Sequence, residues 1–238
     1  YNKKLEEEVN HSAGLRLNGA LSIAQNKGRW QELQRQATTA QLYDVDVRIL
    51  DKDKIKKDYP IINTDEIIGG ILMPGDGAAD PSGVTHMLAK GARKHGAQIF
   101  EKSPLDEILT KNGKISGVKV NGHKIDCEYI VLASGMWSRQ IGEKAGISIP
   151  LYPAEHFYII TEPIENLSKT LPVVRDFDNR TYIKEDAGKI LVGIFEGNSI
   201  PAWDKANKVP EDFSFGEFQE NFEHFEPYLA SAIKRFPV

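Results

Sequence analysis

Residues 180–196, RTYIKEDAGKILVGIFE, contain two short β-type runs separated by the turn sequence DAGK. Strand-forming runs joined by a short glycine-containing turn predict an antiparallel hairpin. The segment AEHFYIITEP (154–163) has a similar composition, and its alternation places His156 and Tyr158 on one face of a strand. The chain from residue 152 onward is therefore predicted to be mainly antiparallel β-structure, followed by an aromatic-rich helix at its end.

The preceding part of the chain has α/β character. The small-residue stretch MPGDGAADP (73–81) leads into PSGVTHMLAKGARKHG (81–96). Asp80 is a suitable N-cap, and Pro81 is a suitable first residue of the helix. AQIFE (97–101) is predicted to follow as a strand, which gives a helix-to-strand unit of the α/β kind.

Residues 105–133 have a different predicted secondary structure. The glycine-bearing turns KNGK and NGH predict a three-stranded antiparallel excursion. We expect this excursion to return into a buried strand made of Ile130, Val131 and Leu132. A helix is expected at about 137–144.

Small residues separate the predicted buried strand from that helix, at Ala133, Ser134 and Gly135. In open α/β sheets, ligands bind where such strands end, and small residues let a ring or phosphate approach the backbone. A tight turn that requires glycine explains the same pattern. Trp137, just beyond, could cover a flat cofactor or simply fill core.

His156 and Tyr182 lie on neighbouring predicted strands. An imidazole and a phenol on adjacent strands could form the floor of a small polar pocket. Half-exposed sheet residues without a chemical role are the plainer interpretation of the same pattern, so the residues alone leave both possibilities open.

The amino-acid composition limits the kinds of partner and compartment that are expected. The chain has 238 residues, 40% of them hydrophobic and 27% charged, which is typical of a folded globular protein. A net charge of -4 gives no reason to expect a nucleic acid or an anionic membrane as partner. The single cysteine, Cys127, excludes an intrachain disulfide and is predicted to be a buried thiol in a reducing compartment. No apolar run approaches the roughly 18 residues that span a bilayer, and no signal peptide is visible.

Familiar site motifs are missing from the sequence. The six histidines lack ligand spacing, so no metal site is predicted. The nucleophile elbow GxSxG, the phosphate loop GxxxxGK[ST] and the dinucleotide fingerprint GxGxxG do not occur.

Five blocks, in order and spacing, resemble one known family. They are MPGDGAADP, GARKHGA, YIVLASGMWSRQIG, LYPAEHFYIITEP and LPVVRDFDNRTYIKEDAGKILVGIFE. The family comprises dimethylglycine dehydrogenase, sarcosine dehydrogenase and dimethylglycine oxidase, flavoprotein amine oxidoreductases built like D-amino-acid oxidase. The resemblance runs from about residue 5 to residue 237.

The resemblance implies an α/β (α+β) fold. It consists of a partial FAD-binding Rossmann-like domain with an antiparallel insertion, and a mainly antiparallel substrate domain with helices. Residues 1–72 are then expected to belong to the substrate domain, 73–150 to the partial FAD-binding domain, and 151–238 to the substrate-binding sheet domain.

The resemblance also implies functional residues. His156 and Tyr182 match the family's active-site histidine and tyrosine near the flavin and the substrate amine. Leu105 matches the residue whose backbone recognises the adenine edge of FAD. The residues expected to line the cofactor are Ala133, Ser134, Gly135 and Trp137.

The implied reaction is oxidation of an N-methyl amino acid of the dimethylglycine or sarcosine type by hydride transfer to FAD. The methyl group leaves as formaldehyde or passes to folate. Glycine and 4-methylaminobutyrate are alternative substrates. Arg175 and Lys184 could pair with a substrate carboxylate, or could form structural ion pairs. The resemblance leaves the electron acceptor open, whether oxygen or a flavoprotein.

The sequence departs from the family pattern at both ends. The GxGxxG turn and the histidine that carries flavin covalently would precede residue 1, and any tetrahydrofolate-binding domain would follow residue 238. The chain is therefore expected to be an internal fragment, inactive alone, with weak or no FAD binding of its own. We expect a cytoplasmic location, or the mitochondrial matrix in a eukaryote.

Two other functions can be weighed against this one. A non-catalytic interaction module could retain the fold without the FAD phosphate loop, and a GxGxxG upstream of residue 1 would favour the enzyme over that module. A nicotinamide-dependent dehydrogenase is disfavoured, because the β-rich second half suits a substrate domain that caps a flavin.

Overall fold

The computed structural model describes residues 3–203 and 208–237. The chain forms two compact units, and each consists of more than one segment. The first contains Tyr1–Ala97, His156–Asn198 and Glu220–Val238, and the second contains Gln98–Glu155 and Ser199–Gln219. These units do not share the boundaries of the predicted functional domains at 72/73 and 150/151, which stay predictions.

Ten strands and six helices make up the described secondary structure. The strands are β1 (Ala20–Ala24), β2 (Arg48–Asp51), β3 (Gly69–Met73), β4 (Leu105–Lys111), β5 (Lys114–Val120), β6 (His123–Asp126), β7 (Tyr158–Ile160), β8 (Val173–Asp176), β9 (Thr181–Asp186) and β10 (Lys189–Ile194). The helices are α1 (Lys3–Val9), α2 (Lys27–Gln41), α3 (Lys52–Asp58), α4 (Pro81–Lys94), α5 (Ser138–Glu143) and α6 (Phe222–Arg235).

The first unit is built on a seven-stranded sheet in the order β2-β3-β1-β8-β9-β10-β7. The pair β1–β8 is parallel and the other neighbouring pairs are antiparallel. The predicted hairpin at 180–196 is β9–β10, and its turn places Ala187 and Gly188 at φ values of +52° and +81°. The expectation of a mainly antiparallel sheet domain with helices is confirmed.

The core of this unit lies on one face of the sheet. Alternate residues of β1, β8, β9 and β10 point into it, and α3 and α6 cover it. Its fully or almost fully buried members include Leu21, Ile23, Val174, Ile183, Ile190, Ile194, Ile55 and Phe225. A chain of this composition gains its stability mainly from such apolar burial.

The opposite face of the sheet is only partly covered. Leu33 and Ala37 of α2 pack there against Ala24 and Ile71 of the central strands. Toward the β9-β10-β7 end, the same face stays accessible, and Tyr158 on β7 is 52% exposed. His156 and Tyr182 belong to this accessible region.

The small residues of 73–81 have a structural cause. Arg16 and Ala78 exchange backbone hydrogen bonds of 2.7 and 3.0 Å, so two chain segments touch backbone to backbone. A Cβ on Gly77 would overlap the carbonyl oxygen of Arg16, and only glycine fits there. Asp80 caps α4, accepting from the amides of Ser82 and Gly83 at 3.1 and 2.9 Å, as the sequence predicts.

The second unit contains the predicted three-stranded antiparallel excursion. Strands β4, β5 and β6 form a separate sheet in that order. Their turns place Asn112, Gly113, Asn121 and Gly122 at positive φ, which is typical of tight hairpins. Farther along, a 3-10 turn (Gly135–Trp137) leads directly into α5.

Two predicted strands are wrong. Residues 97–101 and 130–132 belong to neither sheet, and most of their apolar side chains are exposed, with Phe100 at 67% and Val131 at 89%. A strand needs a neighbouring strand for its backbone hydrogen bonds, and no described segment pairs with either stretch. Apolar composition predicted burial, but burial also requires a covering surface. Cys127, predicted to be buried, is partly exposed.

Candidate functional site

His156 and Tyr182 form a hydrogen-bonded pair on the accessible face of the first unit. The His156 Nε2 and Tyr182 hydroxyl atoms are 3.1 Å apart. The two rings are nearly parallel, with an interplanar angle of 7° and centroids 6.0 Å apart. His156 lies two residues before β7, and Tyr182 is the second residue of β9. The structure therefore brings together the two residues that the sequence predicted to share a site.

Gly193 makes this contact possible. Strand β10 lies between β9 and β7, and Gly193 pairs with Tyr182 on one side and Tyr158 on the other. A Cβ on Gly193 would collide with the ring and hydroxyl of Tyr182. The phenol thus crosses the middle strand at its side-chain-free position and reaches His156 beyond it. Sequence reasoning missed Gly193, although an isolated glycine inside a strand pattern signals close approach of another group.

Glu196 completes the cluster. Its Oε2 lies 3.0 Å from His156 Nδ1, and its Oε1 accepts a hydrogen bond of 2.9 Å from the Phe157 amide. Only 6% of the Glu196 side chain is exposed, against 49% for His156. The carboxylate is therefore held from beneath while the imidazole faces solvent. Nothing in the sequence pattern singles out this glutamate, because its partners lie about forty residues away in the chain.

Aromatic rings surround the Tyr182 side chain. The Phe195 ring lies 5.4 Å from that of Tyr182 and 5.2 Å from that of Phe177. Burial, followed by the negative charges of Glu196 and Tyr158, raises the pKa of Tyr182 above its usual value. Each of these causes disfavours the phenolate. Tyr182 therefore keeps its hydroxyl proton at neutral pH and can donate it in a hydrogen bond.

Two cations share this face of the sheet. Arg175 of β8 stands directly opposite Tyr182 in the strand pairing, and Lys184 lies two residues along β9. Arg175 Nη2 is 3.2 Å from Asp76 Oδ2, and Lys184 Nζ is 3.9 Å from Asp186 Oδ2. Both cations thus have carboxylate partners within the chain, which agrees with the structural interpretation of these two residues.

The second unit contains a cavity of about 820 Å³. Five of the residues that line it are those predicted to bind the cofactor: Leu105, Ala133, Ser134, Gly135 and Trp137. Gly135 has φ +53°, and nothing lies within 4 Å of the position where its Cβ would be. The open space beside Gly135 agrees with the ligand interpretation, and its positive φ agrees with a tight turn that requires glycine, so both interpretations stand.

Hydrogen bonds to the backbone hold the wall of the cavity. Trp137 Nε1 donates to the Pro210 carbonyl at 3.1 Å. Gln140 and the backbone of Val209 exchange two hydrogen bonds of 2.9 Å each. Lys144 Nζ donates to the Leu105 carbonyl at 2.7 Å. Trp137 is therefore fixed at the cavity wall and is not part of an apolar core.

Other kinds of site find little support in the described residues. Among residues 3–203 and 208–237, no three His, Cys, Asp or Glu side chains are grouped so that they could hold a metal ion. Every helix in that part of the chain is too short or too polar to cross a membrane.

The whole chain, residues 1–238, matches the protein family described as DAO, FAD dependent oxidoreductase. The chain belongs to this family. The resemblance inferred from the five sequence blocks is thereby confirmed. FAD is the cofactor that the family description names.

Several proteins are similar along most of the chain. Human mitochondrial sarcosine dehydrogenase is 33% identical over 99% of the chain and 26% of its own length. The 4-methylaminobutanoate oxidase (formaldehyde-forming) of Paenarthrobacter nicotinovorans is 35% identical over 90% of the chain and 26% of its own length. The mouse mitochondrial pyruvate dehydrogenase phosphatase regulatory subunit is 30% identical over 99% and 27%, respectively. The chain spans about a quarter of the length of these curated relatives.

The fold is also found among solved structures. The crystal structure of L-proline dehydrogenase from P. horikoshii matches with a TM-score of 0.81 and 26% identity, over 99% of this chain and 59% of that one. The expected α/β class with a flavoenzyme-type architecture is confirmed.

The residues around the cavity suit part of an FAD molecule. Its volume falls within the range of about 300–1,000 Å³ that is usual for ligand pockets. Trp137 offers a flat apolar surface, Gly135 leaves room for close approach, and the lining contains two lysines, Lys144 and Lys208, beside two glutamates, Glu143 and Glu211. This combination leaves room for a flat ring such as adenine and brings no net positive charge for a phosphate.

Proposed function

We propose that this chain is part of an FAD-dependent oxidoreductase that oxidises an N-methyl amino acid of the dimethylglycine or sarcosine type. The hydrogen-bonded pair of His156 and Tyr182, on an accessible sheet face, is the observation that carries the proposal. The names of the human sarcosine dehydrogenase and the bacterial 4-methylaminobutanoate oxidase support the substrate class. Oxidation of the N-methyl group yields a methylene iminium, which water hydrolyses to formaldehyde and the demethylated amine, or whose one-carbon unit passes to a folate acceptor.

Bound FAD supplies the two-electron acceptor for this chemistry. We propose that it is held in part by the backbone of Leu105 and by the small residues Ala133, Ser134 and Gly135, with Trp137 beside them. These five residues border one cavity, and that shared position supports the assignment.

The chain's own groups would prepare the amine. An amine gives up hydride readily only in its neutral form, so the site has to orient the nitrogen and take up its proton. Tyr182 would position the amine through its hydroxyl group. His156 would hold the released proton, because its imidazole is 49% exposed and can exchange with solvent.

The substrate test uses the protein expressed from its complete reading frame. We expect a flavin absorption spectrum that bleaches under anaerobic conditions on addition of dimethylglycine or sarcosine, and more slowly with glycine. The same measurement with 4-methylaminobutyrate shows whether the site accepts a longer N-methyl amino acid. A flavoprotein that none of these amines reduces would refute the proposal.

Site variants test the assigned roles. Tyr182→Phe and His156→Ala should each lower the rate of flavin reduction by about 100-fold or more, the usual contribution of positioned acid–base groups. Tyr43→Phe is the matched control, because Tyr43 is 75% exposed and lies just beyond α2. Unchanged reduction rates in both site variants would remove these residues from the mechanism.

A regulatory role is a second candidate. It is favoured by the 30% identity to the mouse pyruvate dehydrogenase phosphatase regulatory subunit, over 99% of the chain. A folded protein of full length that binds no flavin and is inert to all four amines would support this non-catalytic function.

A further inference from the structure

Glu196 imposes a direction on the hydrogen bonds of the site. The Phe157 amide can only donate, so Glu196 Oε1, at 2.9 Å, must accept. The other oxygen of the same carboxylate, at 3.0 Å from His156 Nδ1, also accepts. Nδ1 must then carry a hydrogen. In a neutral imidazole, Nε2 is consequently the bare nitrogen, which can only accept.

The same direction of hydrogen-bond donation applies to the Tyr182 phenol. Because Nε2 accepts, the Tyr182 hydroxyl at 3.1 Å must donate its proton to it. The raised pKa of Tyr182 keeps that proton in place. The lone pairs of the Tyr182 oxygen are then free to accept a hydrogen bond from another group.

We propose that Glu196 is a positioning residue that fixes His156 in its Nδ1–H tautomer and so makes the Tyr182 oxygen a hydrogen-bond acceptor toward the substrate amine. The last clause rests on the proposed function, whereas the tautomer does not. The buried carboxylate is suited to this task, since its two oxygens are held by two different partners and its side chain is only 6% exposed.

This arrangement gives a balanced path for one proton. A substrate ammonium donates to the Tyr182 oxygen and transfers its proton there, while the Tyr182 hydroxyl proton passes to His156 Nε2. The products are a neutral amine, an unchanged phenol and an imidazolium whose Nδ1–H faces the Glu196 carboxylate. No electrons move, and no other reactant is required.

Glu196→Gln reverses the direction with almost no change in shape. The Phe157 amide requires the oxygen of the new side-chain amide, so the NH₂ group must face His156 Nδ1. That NH₂ donates, which forces Nδ1 to be bare and moves the hydrogen to Nε2. The Tyr182 oxygen then accepts from Nε2, and its own proton points elsewhere.

Nitrogen-15 NMR of ring-labelled histidine measures this tautomer, because protonated and bare ring nitrogens have very different chemical shifts. The full protein is studied at about pH 8.5, above the usual histidine pKa of about 6.5, without substrate. The spectrum of His156→Ala assigns the signals of His156 among those of the other histidines. We expect Nδ1–H in the wild type, Nε2–H in Glu196→Gln, and Nδ1–H in Glu196→Asp, which keeps an acceptor.

A control variant and two outcomes complete the test. Glu162→Gln, an exposed change beyond the other end of β7, should leave the His156 tautomer unchanged. An Nε2–H tautomer in the wild type, or the same tautomer in wild type and Glu196→Gln, would overturn the proposal. If the tautomer switches but the protein oxidises none of the amines, Glu196 still positions His156, and the proposed amine substrate is refuted.

Discussion

The crossing of Tyr182 over β10 leads to a quantitative prediction for Gly193→Ala. A Cβ at this position would lie well inside 3.0 Å of the Tyr182 ring, closer than real Cβ atoms approach. The ring would have to retreat by on the order of 1 Å, which is enough to break the 3.1 Å contact with His156. Inserting a methyl group into a packed site typically costs about 1–3 kcal/mol.

An opposing effect has to be subtracted. Alanine is favoured over glycine inside a strand by about 0.5–1 kcal/mol, because glycine loses more conformational entropy on folding. The φ of Gly193 is outside the left-handed region, so alanine fits the backbone itself. Gly193→Ala should therefore lower the free energy of unfolding by up to roughly 2.5 kcal/mol in the wild type. In a Tyr182→Ala background, it should raise it by about 0.5–1 kcal/mol.

Urea unfolding of the four proteins in this double-mutant cycle measures the difference. We expect a coupling free energy on the order of 2 kcal/mol between Gly193 and Tyr182. Flavin reduction by sarcosine in the complete protein should fall in Gly193→Ala nearly as far as in Tyr182→Phe. A stabilisation by Gly193→Ala of the same size in both backgrounds would show that the ring does not cross the strand at this residue.

Two further predictions concern stability. Burial and the charge of Glu196 raise the pKa of Tyr182, so the unfolded chain loses this proton first as the pH rises through about 10. The free energy of unfolding should then fall as the pH rises. Urea titrations between about pH 9 and pH 11 should show a smaller fall in Tyr182→Phe than in the wild type. Equal slopes of the free energy of unfolding against pH in the two proteins would contradict the raised pKa. Asp176→Ala should cost about 3–5 kcal/mol, because it leaves the buried Arg235, 3.2 Å away, without its carboxylate. The control Asp186→Ala, whose side chain is 42% exposed, should cost at most about 1 kcal/mol, and equal losses in urea unfolding would refute the assignment.

Local signals were sufficient for most of the secondary structure. The N-cap at Asp80 and the turn at 186–189 involve residues within three or four positions of each other. The alternation in 154–163 predicted correctly that His156 and Tyr158 share a face: both are exposed, and Phe157 between them is partly buried. Such features are fixed by neighbouring residues and therefore survive without knowledge of the rest of the fold.

The two wrong strands show where local signals end. Residues 97–101 and 130–132 have the composition of buried strands, yet Val131 is 89% exposed. Composition states that a segment gains by being buried, but a partner surface decides whether it is buried. The sequence contains no measure of that second factor.

The sequence alone predicted a mixed α/β fold and an antiparallel hairpin that contains Tyr182. It also predicted a strand-like segment in which His156 lies on one defined face. The strand order decided that β10 lies between them, that Gly193 opens the crossing, and that Glu196 reaches His156 across forty residues of chain. Periodicity is set by adjacent residues, whereas these contacts exist only when distant segments are packed side by side.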